Sequence, residues 1–332
     1  MSNLPLKIDY KITKLPLFCK VYKNSFKSGH GSSINKFHQA ISRIIYYFLD
    51  FFGLVNSSIN VTFRVKGVDK QATLRGENRQ FNSLYFDKYS IAYETSVTLT
   101  IRDFFTDNMV FLDIGSNWGY YSIYVCGPQS YKGKIYAFEP APDTYMDLNN
   151  LVQSLGLSNQ ITAYNIGLGS KDGELWITQP RHSGLARISE KPKGVKVAIR
   201  KLDSYQLDQI DFIKMDVEGL ELDVLIGARE TLSTHRPVII FESNTAEANC
   251  DLVLKELKSK DYTFFIPCVG FESKDGISIV DDYNLKSEEI DSYKAFYCEL
   301  TPEFRQIYSN YLNILAVPRE KVDSYAFLHR GE

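Results

Sequence analysis

From Val110 onward the chain repeats one pattern: a short apolar run that ends in a polar residue, followed by a longer amphipathic stretch. Val110-Phe111-Leu112-Asp113, Ile135-Tyr136-Ala137-Phe138-Glu139, Ile161-Thr162-Ala163-Tyr164-Asn165, Phe212-Ile213-Lys214-Met215-Asp216 and Val238-Ile239-Ile240-Phe241-Glu242 are the clearest runs. Runs of this length read as buried strands. Their alternation with helical stretches predicts an α/β domain with a mainly parallel sheet and helices on both faces. Helices are expected over about 141–155 and 252–260. Short strands are expected at 174–177 and 195–199, with further strands at 262–266 and 313–317, the last closed by Pro318. Residues 268–300 read as an aromatic-rich insertion. Upstream, 27–33 is a loop signal. Ile41, Ile44, Ile45, Phe48 and Phe52 then give a helix with one apolar face. Val61–Val65 alternates as a strand, 66–70 turns the chain, and 71–75 returns as a hairpin partner. A helix over 88–105 leads into the main domain. The expected organisation is an N-terminal extension over 1–105, the α/β domain over 106–320 and a tail over 321–332.

In open α/β sheets, ligands sit beyond the carboxyl ends of the strands. Those ends carry Asp113, Glu139, Asn165, Asp216 and Glu242, all polar. A polar residue at one strand end can simply cap the next helix; five together point to a site. After the first strand the chain turns through Gly115-Ser116-Asn117-Trp118-Gly119 into a helix. Such a turn is expected to aim backbone N–H groups at a ligand, with glycines letting the ligand approach closely. Glu139 ends the second strand, where an acid can accept hydrogen bonds from a ribose diol. The glycines do not have the dinucleotide spacing, and no Gly-Lys-Ser/Thr marks a phosphate loop.

Four ordered segments carry a resemblance: Asp113-Ile114-Gly115-Ser116-Asn117-Trp118-Gly119, then Phe138-Glu139-Pro140, then Asn165-Ile166-Gly167-Leu168-Gly169, then Lys214-Met215-Asp216-Val217-Glu218-Gly219-Leu220-Glu221. Together they resemble the FkbM family of S-adenosylmethionine-dependent methyltransferases over roughly residues 105 to 245. Ser116 and Gly167 stand where that family's pattern usually has alanine. The resemblance implies a Rossmann-like class I methyltransferase fold, with a mainly parallel seven-stranded sheet and a last antiparallel strand. It implies S-adenosylmethionine as cofactor, held by Asp113, Gly115, Ser116, Asn117, Trp118, Gly119, Glu139, Asn165, Ile166 and Gly167. It also implies O-methylation of a hydroxyl on a sugar or glycan. A polyketide-like small molecule is the next acceptor class, and a nonenzymatic cofactor-binding scaffold is the rival from another class.

A hydroxyl acceptor must lose a proton, and Asp216, Glu218 and Glu242 are the candidate catalytic groups. For Asp113 the alternative is an acid that stabilises its loop, for Trp118 a packing residue, and for Glu218 a first-turn helix acid. Asp216, Glu242 and Asn244 could bind a hard divalent cation, but a metal-independent reaction is the expectation. His182, in a loop after a short strand, reads as solvent-exposed, and His235 as structural. The rest of the composition narrows the classes. A net charge of −2 with interspersed signs gives no case for nucleic acid. Five widely spaced cysteines without a C-x-x-C pair suggest reduced thiols and a cytoplasmic protein. No secretory leader is read at the start. The apolar stretch over 41–55 is interrupted by Asp50 and too short to span a bilayer. It reads as a helix packed on the domain, with membrane-surface or dimer contact as alternatives.

Overall fold

The computed structural model of the chain describes residues 8–14, 48, 58–75, 78–81, 93–178, 194–246, 249–274, 276–280, 292–308 and 311–329. The loop at 27–33, the apolar-faced helix apart from Phe48, and the His182 loop lie outside the described residues. Near the N-terminus, β1 (Tyr10–Lys14), β2 (Ile59–Val65) and β3 (Val68–Leu74) form an antiparallel sheet in that order. The β2–β3 turn is tighter than the expected 66–70. Lys66 and Gly67 alone make it, both at positive φ, which matches the right-handed twist of the flanking strands. The expected helix over 88–105 is described as α1 from Thr95 to Phe104.

The main domain runs β4 (Phe111–Ile114), α2 (Tyr120–Cys126), β5 (Ile135–Phe138), α3 (Pro142–Ser154) and β6 (Ile161–Tyr164). A small sheet follows, of β7 (Gly167–Leu168), β8 (Gly173–Ile177) and β9 (Val195–Arg200). The chain then returns through β10 (Phe212–Met215), α4 (Glu221–Ile226), α5 (Arg229–His235), β11 (Val238–Asn244) and α6 (Cys250–Lys258). It closes with β12 (Tyr262–Ser273), β13 (Gly276–Val280), β14 (Lys294–Glu299), β15 (Tyr311–Pro318) and α7 (Arg319–Val322). The large sheet has the order β13-β12-β15-β11-β10-β4-β5-β6, with β14 also paired to β12. Pairs from β11 to β6 are parallel, and β15 is antiparallel to both of its neighbours.

Among the described residues the sheet therefore has nine strands where seven were expected. The extra two come from the expected 268–300 insertion, whose described residues pair into the sheet. β12 runs on to Ser273, folds back as β13, and takes β14 against Phe265–Gly270. Tyr293, Ala295, Phe296 and Tyr297 are buried there, so the aromatic content serves the core. From β4 the chain moves out through β5 and β6, then crosses to β10 and β11 on the other side. The β4/β10 boundary is the switch point where such sheets bind ligands.

Alternation divides the side chains between two cores. Leu112, Ile114, Ile213, Met215, Ile239 and Phe241 join one cluster with α4, α5 and α6. Phe111, Phe212, Val238 and Ile240 join the other with α1, α2, α3 and the buried residues of β2. The N-terminal sheet thus completes the core of the domain. Arg75, just past β3, clamps it to α3 through Asp147 at 2.5 and 2.9 Å. Asp113 and Lys214 lie opposite each other in register, placing two charged side chains in the row that Phe111 and Phe212 begin. His235 accepts the Ile210 N–H through Nδ1, a structural role.

Candidate active site

The glycine turn after β4 is built differently from the expectation. Gly115 and Ser116 both donate to the Phe138 carbonyl, Asn117 donates to Glu139, Trp118 to the Asn117 side chain, and Gly119 to the Ser116 carbonyl. The turn's N–H groups are thus engaged within the protein and do not point at a ligand. The reason for Gly115 is also corrected. Its φ is +71°, and a Cβ there would lie 1.8 Å from the Asp216 carbonyl oxygen. The glycine is required because the loops after β4 and β10 touch. At Gly119 a Cβ would meet Leu148 of α3.

Asp113 is fully buried. Its Oδ2 accepts from the Ser122 N–H and hydroxyl, so it ties β4 to the first turn of α2. Burial raises its pKa, against the pull of Lys214 and Ser122. Trp118 is buried between Phe81 and Tyr120. These two, with Ser116 and Gly119, sit behind the cleft wall. Asn165 bonds the Glu139 and Pro140 carbonyls through Nδ2 and so fixes the loop after β5.

Gly115, Asn117, Glu139, Gly167, Asp216 and Glu218 do line one cleft at the switch point, and Ile166 joins them. Its far wall is apolar: Leu175, Ile177, Val197 and Ile199 from the small sheet. Sequence reasoning found those strands but gave them no role; their inward i, i+2 alternation was the available signal. Glu139 is 8% exposed, and its two oxygens accept from Asn117 and Ala141 at 3.0 and 2.9 Å. Burial pushes its carboxyl up to about 7, with those two bonds pulling the other way. Each oxygen keeps acceptor capacity for a hydroxyl. Asn117 and Glu218, both on the wall, hold positive φ of 51°, a strain typical of functional loops.

Beside the cleft lies a second group of charges. Lys214 sits 3.3 Å from Asp216 and 5.2 Å from the centre of the Tyr121 ring. The Tyr121 hydroxyl donates to Glu94 at 2.6 Å. Burial works against the lysine's charge, but Asp216, Asp113 and Glu94 outweigh it and raise its pKa. Glu242 is pushed up to about 8, first by burial and then by Asp216, Glu94 and Glu218. Glu218 lies outside a helix, since α4 begins at Glu221. Instead Glu221 bonds the Val217 and Gly219 N–H groups and shapes the loop. The sequence assigned no role to Glu94, Tyr121 or Lys214. Lys214 stood inside a recognised motif, whereas Glu94 had no sequence signal. Among the described residues, no three His, Cys, Asp or Glu side chains are grouped to hold a metal ion.

A parallel sheet with this strand order, an apolar slot and a buried acid after its second strand defines a Rossmann-like class I methyltransferase fold. Residues 113–264 match the methyltransferase FkbM domain. S-adenosylmethionine is the methyl donor such a domain implies. Methyltransferase 1 of Beauveria bassiana is 29% identical over 152 residues, covering 37% of this chain and 59% of that protein. Methyltransferase sdnD of Sordaria araneosa is 33% identical over 162 residues, covering 37% and 61%. The hexuronic acid methyltransferase AglP of Haloferax volcanii is 29% identical over 136 residues, covering 40% and 54%. The matches thus span little more than half the length of these relatives. A solved FkbM methyltransferase from Methylobacillus flagellatus aligns over 71% of this chain and 68% of its own, at 19% identity and a TM-score of 0.39.

Proposed function

We propose that the protein is an S-adenosylmethionine-dependent O-methyltransferase acting on a hydroxyl of a sugar or glycan. One observation carries the reading: the cofactor cleft, with buried Glu139 against an apolar slot, opens beside the carboxyl group of Asp216, Glu218 and Glu242. The residues present fit the cofactor. Glu139 would accept the ribose hydroxyls, and Ile166, Gly167, Val197 and Ile199 would cover the adenine. Ser116 Oγ is buried without a hydrogen-bond partner among the described residues, but it lies behind the cleft wall and is given no part in holding the cofactor.

Bound S-adenosylmethionine supplies an electrophilic methyl group on a positive sulfur. The protein's part is to hold the acceptor hydroxyl in line with that bond and to take its proton. Asp216 is the assigned proton acceptor. It lies on the cleft wall, at the end of the strand where the methyl group is expected. Glu242, carrying its proton at neutral pH, orients the acceptor by donating a hydrogen bond. S-adenosylmethionine, held by Glu139 and the apolar slot, would supply the methyl group, and Asp216 would take the proton that the acceptor hydroxyl loses. A relative named for a hexuronic acid supports the sugar class.

A small molecule with an apolar body is the second reading. Tyr311 is 60% exposed and lies two residues from Asn313, which pairs with Glu242 in β11. It therefore shares a sheet face with Glu242, and Phe304, Ile307 and Tyr308 nearby in sequence are exposed too. Calorimetry with S-adenosylmethionine and NAD tests the cofactor. An acceptor screen with labelled methyl donor tests the reaction. Binding of NAD alone would refute the proposal, and binding of S-adenosylmethionine without transfer to any acceptor would leave the scaffold reading.

A further inference from the structure

We propose that Lys214 is a positioning residue for methyl transfer: its buried ammonium holds one oxygen of Asp216 so that the other meets the acceptor hydroxyl. The proposal rests on the reading above, in which Asp216 takes the proton, and adds the group that sets this acid in place. Lys214 lies in β10 and Asp216 directly follows that strand. The Asp216 N–H still donates to the Ile114 carbonyl at 3.0 Å, so its backbone is fixed to β4. Alternation then puts both side chains on one face of the sheet. Lys214 Nζ lies 3.3 Å from Asp216 Oδ2. The lysine side chain is 8% exposed and that of Asp216 33%. The pair thus reaches from the core to the cleft wall, where Asp216 lies.

The choice of partner separates positioning from a purely structural role. Lys214 stands opposite Asp113 of β4 in register. Asp113 is fully buried; Ser122 takes its Oδ2, and its Oδ1 has no hydrogen-bond partner among the described residues. A lysine kept only to neutralise the core would bond that oxygen, because an unpaired buried acceptor is costly. The hydrogen bond goes instead to the acid that lines the cleft. The ammonium is also held from behind. The Tyr121 ring centre lies 5.2 Å from Nζ, and the Tyr121 hydroxyl donates to Glu94 at 2.6 Å, which fixes the ring. Burial opposes the lysine's charge, and Asp216, Asp113 and Glu94 outweigh it. Lys214 therefore keeps its own proton while the acceptor's proton passes to Asp216. Misplacing a reacting group by about 1 Å costs on the order of a hundredfold in rate.

The test is a double-mutant cycle on the full chain at pH 8, with labelled S-adenosylmethionine and a panel of alkyl glycosides as acceptors. Lys214→Met should leave S-adenosylmethionine affinity and acceptor KM within about threefold, while kcat falls about ten- to a hundredfold. In the Asp216→Asn background the same change should cost less than about threefold. An equal loss in both backgrounds, or an unchanged kcat in the native background, overturns the proposal. Full turnover in Asp216→Asn alone refutes Asp216 as proton acceptor, and the proposal with it. If no glycoside is labelled while S-adenosylmethionine binds, the sugar reading falls and the proposal falls with it. If Lys214→Met does not fold, the pairing is read from the other partner by NMR of ¹⁵N-labelled lysine. Asp216 is the carboxylate that most sustains the Lys214 charge, so the ammonium should lose its proton at a lower pH in Asp216→Asn than in the native chain. A titration that does not move overturns the proposal.

Discussion

Cofactor binding should be linked to the ionisation of Glu139. In the protein without ligand its carboxyl is buried and pushed up to about 7, although two backbone N–H groups favour the charged form. A ribose diol adds two donors, which also favour the carboxylate. If the ionised form binds, the binding-competent fraction is about nine-tenths at pH 8 and about one-tenth at pH 6, so affinity should fall roughly tenfold over that range. Near pH 7 binding should release about half a proton. Calorimetry in buffers of different ionisation enthalpy reads both quantities. Glu139→Gln should weaken binding about ten- to a hundredfold and abolish the proton release. The same group makes the unliganded protein pH-sensitive. Its folded pKa lies above the ordinary value of 4.5, so its contribution to stability is full below about 4.5 and is lost as pH rises through about 7. The size is about 3.5 kcal/mol at most, since each pKa unit is about 1.4 kcal/mol. Affinity for S-adenosylmethionine that is flat from pH 6 to 8, or a net uptake of protons, would refute the linkage and the ribose role together.

Other perturbations separate structural from chemical roles. Gly115→Val should destabilise the fold by more than about 3 kcal/mol, because a side chain at positive φ collides with the Asp216 backbone; an unchanged urea midpoint would contradict the packing. Asp216→Asn should leave cofactor affinity within about threefold while turnover falls about 10²–10⁴-fold, and loss of cofactor binding would move Asp216 to the cofactor site. If Glu242 rather than Asp216 accepts the proton, turnover should climb as pH rises through about 8, and Glu242→Gln should remove that limb. Arg75→Met should cost about 3 kcal/mol by leaving the buried Asp147 carboxyl short of its ion-pair partner; denaturation of the variant measures it.

The apolar runs and their polar ends determined the α/β class, the strand positions and the line of residues at the ligand-binding edge. Those features depend on local alternation, which each segment carries by itself. The order of Glu139, Gly167 and Asp216 along the chain was likewise enough to point to one cofactor. Tertiary structure decided what each residue does there. Gly115 is glycine because two loops meet, and Asp113 is turned inward to hold α2. Neither fact is encoded within a few residues of its own position. The pairing of the 268–300 insertion depended on a partner: its described residues join the sheet because β12 offers an edge to pair. The charge group of Glu94, Lys214, Asp216 and Glu242 is the clearest case. Its members come from the start of a helix and two parallel strands, and their ionisation is set by burial and mutual distance. Both quantities exist only after the chain has folded.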